Sequence, residues 1–111
     1  MATVTWEEFE RVEMRVGEIV EAEEFPEARK PSYRMRIDFG PHGLKESSAA
    51  IKEWYARGDL VGRHVVAVVN FPAKQIANFL SQVLILGAIR EDGRVVLLRP
   101  DDGAGLGDRI A

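Results

Sequence analysis

Asn70, Lys74, Gln75 and Ser81 stand in one short stretch of the 111-residue chain, among the apolar residues Phe71, Pro72, Ile76, Phe79 and Leu80. The chemistry open to such a set is non-covalent. An ammonium neutralises phosphate, amides and hydroxyls form hydrogen bonds, and aromatic rings stack on bases. Apolar atoms crowded inside a polar rim equally suit a protein or peptide partner. For a nucleic acid the candidate cations are Arg29, Lys30, Arg34, Arg36, Lys45 and Lys74, and the candidate hydrogen-bonding groups are Ser47, Ser48, Asn70, Gln75 and Ser81. For a peptide the candidate contacts are Phe71, Ile76, Phe79 and Leu80. Several of these residues also suit structural work. Asn70 at a strand end can cap a turn, Ser81 can satisfy loop backbone, Arg34 and Arg36 can cover apolar surface with their stems, and Phe71 and Phe79 can pack in a core or a subunit contact.

Covalent chemistry is poorly provided for. There is no cysteine, so disulfides and thiolate metal sites are excluded. The two histidines, His42 and His64, fall in a turn and at a strand start, and neither has a nucleophile or a metal-ligand partner at a recognisable spacing. The glycines match neither a phosphate-binding loop nor a dinucleotide fingerprint, and Gly103-Ala104-Gly105-Leu106-Gly107 leads into no helical pattern. The expectation is a non-catalytic binding protein without metal or cofactor.

The elements that must position these residues read as short strands. Thr5-Trp6-Glu7-Glu8 is a capping box, which opens a helix from Trp6 to about Glu10. So short a helix cannot stand alone, and Trp6 and Phe9 need cover from the rest of the chain or from a second subunit. Val12, Met14 and Val16 alternate with polar residues until Gly17, a glycine of the kind that marks a bulge or bend. Tyr33, Met35, Ile37 and Phe39 alternate with Arg34, Arg36 and Asp38, which sends both arginines away from the core. Leu44 to Ile51 reads as a shorter strand. Glu53 to Gly62 reads as a helical turn with a loop. Arg63 to Asn70 is a continuous apolar strand buried on both faces, and Val83 to Ile89 reads as another. The dozen residues between these two runs read as a long connection, and connections of that length are more often functional than filler. Glu91-Asp92-Gly93-Arg94 is a hairpin turn into Val95–Leu98. Close strand spacing with no βαβ unit predicts an all-β domain with short helices: one OB-fold barrel of five strands over residues 1–111, with an N-terminal helix and extra C-terminal strands.

Charge is unevenly spread. Residues 1–27 carry nine acids against two bases, residues 28–99 twelve bases against six acids, and residues 100–111 three acids against one base. A basic middle can bind phosphate in a chain whose net charge is −3, because salt screens charges beyond roughly 8 Å. No leader pattern opens the chain and no apolar run nears the roughly 18 residues that cross a bilayer. The expected setting is cytoplasmic, without membrane insertion. The uncovered helix and the tail near Leu106 and Ile110 predict a homodimer, since two-fold dimers are the commonest oligomers.

The stretch from Asn70 to Gly87 also resembles a known family. An asparagine, a lysine four residues on, and a serine opening the next apolar run form the pattern of the tRNA-binding domain family. That family includes EMAP-type domains, appended to aminoacyl-tRNA synthetases, and the small CsaA proteins. EMAP-type domains carry an acidic Asp-Ala-Asp run where this chain has Arg29-Lys30-Pro31-Ser32-Tyr33, which is similar to the CsaA type. Met14-Arg15-Val16-Gly17, Ile37-Asp38-Phe39-Gly40, Ser47-Ser48-Ala49 and Val69-Asn70-Phe71-Pro72 agree. One residue departs: Asn78 stands where the family commonly has glycine. The resemblance implies the OB fold, a homodimer, and an export-related chaperone that binds unfolded precursor proteins, possesses a tRNA-binding scaffold and works alongside the export machinery. The alternative it leaves open is a plain tRNA-binding protein.

Overall fold

A computed structural model describes all 111 residues. Helix α1 spans Trp6–Arg11, and both hydrogen bonds of the capping box form: Glu8 N donates to Thr5 Oγ1 and Thr5 N to Glu8 Oε1. Strands β1 (Met14–Glu24), β2 (Tyr33–Asp38), β3 (Leu44–Ala49), β4 (His64–Val68) and β7 (Leu84–Ile85) make one antiparallel sheet in the order β3-β2-β1-β4-β7. A short helix α2 (Arg57–Leu60) precedes β4. The sheet curls into the nearly closed OB-type barrel expected.

The curl originates in β1, whose first half pairs with β4 and whose second half pairs with β2. A bulge between Ile19 and Glu21 separates the two halves and increases the local twist. Gly17, just before that bulge, faces Ile37 and Phe39 at close range. A Cβ there would stand 2.6 Å from Ile37 Cγ2 and 2.7 Å from the Phe39 ring, so only glycine fits. The core fills the barrel with Ile19, Met35, Ile37, Phe39, Leu60, Val65 and their neighbours. The tail closes on the N-terminal half of β1: Gly107 N donates to Val16 O, Val16 N to Asp108 O and Ile110 N to Met14 O.

Three expectations need correction. The connection after β4 is no loop. It folds into a hairpin of β5 (Lys74–Ile76) and β6 (Phe79–Ser81), with Ala77 and Asn78 as its turn. The apolar run from Val83 is not one buried strand. It breaks into the two residues of β7 and a separate strand β8 (Gly87–Ile89), which pairs with β9 (Val95–Leu97). Val83 is buried, but Leu84 is 49% exposed and Ile89 79% exposed, because β7 is an edge strand and β8 leaves the barrel. The third strand ends at Ala49, short of Ile51. The barrel does not cover Trp6, which is 81% exposed.

Candidate peptide and nucleic-acid interface

The hairpin is tied to the barrel through β3. Gln82 N donates to Glu46 O, Glu46 N to Gln82 Oε1, and Ser47 Oγ to Val83 O at 2.8 Å. Ser48 N donates to Ser81 Oγ. Ser47 and Ser81 therefore hold the barrel closed, and Ser47 is fully buried.

Register decides what the hairpin presents. Lys74 faces Ser81 across the two strands, Gln75 faces Leu80 and Ile76 faces Phe79. Side chains alternate along a strand, so Lys74, Ile76, Phe79 and Ser81 share one side while Gln75 and Leu80 point to the other. The first side borders an apolar groove of about 390 Å³, whose walls are Phe71, Pro72, Ile76, Val83 and Leu84, with Lys74, Ser48, Ser81 and Gln82 as the polar part. That volume is within the range of binding pockets. Leu80 and Gln75 are outside it. Gln75 instead donates through Nε2 to Ala77 O, which steadies the turn. Ala77, at φ 51°, is the left-handed residue of that turn, so Asn78 adopts no conformation that would demand glycine. Val83, Leu84 and Gln82 were not singled out by the sequence. The interrupted apolar run hid the exposure of Leu84, and nothing in residue type marks Val83 or Gln82.

Phe79 has a different neighbour. Its ring meets Phe25 edge-on, 5.5 Å between centroids, and the Arg34 guanidinium lies 5.6 Å from Phe25 and 5.9 Å from Phe79. Phe25 is buried and opens the β1–β2 loop that carries Arg29 and Lys30. This aromatic joint brings that loop toward the hairpin. Arg29, Lys30 and Lys74 are exposed and form no ion pair, so their charge is available.

Other candidates are committed elsewhere. Asn70 Oδ1 accepts from Glu13 N at 3.0 Å and its Nδ2 donates to Arg11 O at 2.7 Å, so its amide clamps the junction between α1 and β1. Arg34 pairs with Glu23, and Arg36 with Glu46 at 3.0 Å and Glu21 at 3.7 Å. The hydrogen bond to Glu46, helped by the charge of Glu21, raises the Arg36 pKa further above its already high value. Arg34 Nε is buried with no partner. Lys45 sits opposite Ile37, on the other side of β3 from Glu46 and Ser48. The expected set thus divides. Phe71, Lys74, Ile76 and Phe79 stand on or beside the hairpin, and Arg29 and Lys30 are exposed on the β1–β2 loop, whereas Asn70, Arg34, Arg36 and Ser81 are engaged within the fold and Lys45, Gln75 and Leu80 face elsewhere.

A family described as "Putative tRNA binding domain" matches residues 14–109. The chain belongs to this tRNA-binding domain family. Among solved structures, chaperone CsaA of Bacillus anthracis str. Ames is 47% identical with a TM-score of 0.93, and 99% of this chain aligns with 100% of that one. The CsaA chaperone of Picrophilus torridus is 50% identical with a TM-score of 0.91, over 98% of this chain and 100% of that one. Methionine--tRNA ligase of Bdellovibrio bacteriovorus is 33% identical over 109 residues, which are 98% of this chain and 16% of the ligase. The chain thus spans about a sixth of that curated relative. Within the family, the two CsaA structures match this domain over essentially their whole length, whereas the match to the ligase spans 16% of it.

Proposed function

We propose that this tRNA-binding-type domain is a non-catalytic, CsaA-like chaperone that captures unfolded precursor proteins at the hairpin groove and serves the export machinery in the cytoplasm. The observation that carries the reading is the groove itself. Phe71, 52% exposed, and Leu84, 49% exposed, stand beside it, and five of its nine lining residues are apolar or proline. A phosphate backbone gains nothing from such walls, whereas an extended peptide buries apolar side chains against them. Full-length similarity to two chaperones supports the same choice. No helix is long and apolar enough to cross a membrane.

A second activity, tRNA binding, is favoured by the uncommitted cations: Lys74 on the groove, and Arg29 and Lys30 on the β1–β2 loop. Salt separates the two. Polynucleotide affinity falls steeply with salt, and capture by the groove changes little. Titration of a reduced, unfolded precursor and of tRNA at low and high salt tests both, and absence of binding by either ligand at low salt removes the proposal.

The active form is a homodimer in this reading. Trp6, Phe9, Val12, Arg109 and Ile110 surround an apolar groove of about 440 Å³ between α1 and the tail, and Arg109 donates to Glu10 O so that helix and tail form one surface. Light scattering of the intact chain at micromolar concentration is expected to give twice the 12.4 kDa chain mass, and a monomer there rejects the dimer.

A further inference from the structure

The outward face of β1, β2 and β3 adjoins the hairpin groove, and its charge is the reverse of the one expected. Cross-strand partners share a face, so three rungs stand outward: Glu23, Arg34 and Ser48; Glu21, Arg36 and Glu46; Glu18, Asp38 and Leu44. Five carboxylates stand against two guanidiniums, and each guanidinium is already paired with a glutamate. This face repels a phosphate backbone. It is also continuous with the groove, because Ser48 lines the groove while Arg34, its partner across the strands, lines the neighbouring cleft with Glu21, Glu23, Glu46 and Phe79.

We propose that groove and face together form one bipartite docking site for an extended peptide in which lysine or arginine residues flank an apolar residue. The inference rests on the peptide reading above and specifies its substrate class. The apolar residue enters the groove beside Phe71 and Ile76. The chain then runs past Phe79 and sets its cations on Glu21 and Glu23, whose side chains are 56% and 61% exposed. Side chains in an extended segment recur on one side every second residue, which matches the two-residue spacing of Glu21 and Glu23. The occupant is identified by charge complementarity: the carboxylates outnumber the arginines, so a cationic segment is attracted and an acidic one repelled.

The test uses the full-length protein and four labelled peptides of equal length. Three share one apolar core flanked by lysine, by glutamine or by glutamate, and the fourth lacks the apolar core but keeps the lysines. At low salt the lysine peptide is expected to bind roughly threefold tighter than the glutamine peptide for each exposed ion pair gained, hence about tenfold for two, and the glutamate peptide weaker than both. High salt narrows the gap. The double variant Glu21→Gln/Glu23→Gln should abolish the ranking and leave melting temperature and affinity for the glutamine peptide unchanged. Equal affinity for the three flanks, or a ranking that survives the double variant, overturns the bipartite site while leaving the groove intact. No binding of the glutamine peptide at any salt defeats the peptide reading itself. Tighter tRNA binding by the double variant, with the peptide ranking unaltered, assigns the face to RNA and likewise overturns the inference.

Discussion

The outward face of β2 and the rim of the hairpin both carry cations, yet they differ in what those cations can do. Arg34 and Arg36 are held by Glu21, Glu23 and Glu46. Lys74, Arg29 and Lys30 face solvent without an acidic partner. The first set is neutralised within an acid-rich face, and the second keeps its charge open to solvent. A basic residue is therefore a binding residue only when its own fold leaves its charge unpaired. The same contrast divides the polar groups. Asn70 and Ser81 complete backbone hydrogen bonds, and the groove's apolar character comes from Phe71, Ile76 and Leu84.

The two regions meet at Phe25, so Phe25→Ala should have the largest effect. The ring is 2% exposed, and its loss should cost about 3–5 kcal/mol in thermal or denaturant unfolding. Because Phe79 and Arg34 rest on that ring, the hairpin should also become sensitive to limited proteolysis. A hairpin that stays protected in a destabilised protein breaks the claim that one joint supports both regions.

Asn70→Ala comes next. It leaves Glu13 N and Arg11 O without their partner, an expected loss of about 1–2 kcal/mol. Melting temperature should fall, and peptide and tRNA affinity, measured well below the transition, should hold. Lost tRNA affinity in a protein of unchanged stability would return Asn70 to the binding set.

Phe71→Ala and Lys74→Ala compare wall with rim. Phe71 is half exposed, so its truncation should barely move the melting temperature but weaken peptide capture by about 1.5 kcal/mol, roughly tenfold. Lys74→Ala should leave the peptide alone, weaken tRNA binding uniformly across sequences and reduce its salt slope by about one. Isothermal titrations of both variants against both ligands decide it, and a reversed pattern makes RNA the main ligand.

The smallest effect separates the N-terminal segment from the hairpin. Hydrogen bonds from Thr5 backbone and side chain hold the Glu8 pKa below its ordinary 4.5, and the Arg15 hydrogen bond does the same for Glu13. A carboxylate with a lowered folded pKa adds stability above its unfolded value and loses it as pH falls through the folded one. Acidification below about pH 4.5 should therefore loosen α1 first. Amide exchange at Thr5 and Glu8 should rise there while exchange in the hairpin, which contains no carboxylate, stays level; parallel rises in both would dissolve the distinction.

Much of this architecture was legible in the residues. The alternation of Tyr33, Met35, Ile37 and Phe39, the capping box at Thr5 and the bend at Gly17 each act within a few residues, so their consequences are local and appear in the sequence. The burial of β4 is legible for a related reason, since a run apolar on both faces has nowhere else to go. The hairpin was misread as a loop because its turn, Ala77-Asn78, lacks the usual glycine signal, and the run from Val83 was misread because one strand and two broken ones share a composition.

What the sequence alone determined, then, is the first four strands of the barrel, the barrel class and the family, along with the segment in which to look for a site. Only the tertiary structure decided which of that segment's residues are free to bind. Glu21 and Arg36 are fifteen positions apart and face each other across β1 and β2, and Asn70 reaches Glu13 from the far end of β4. Pairing between distant residues fixes where a charge or an amide is used up, and periodicity along one strand carries no information about the strand that will lie beside it.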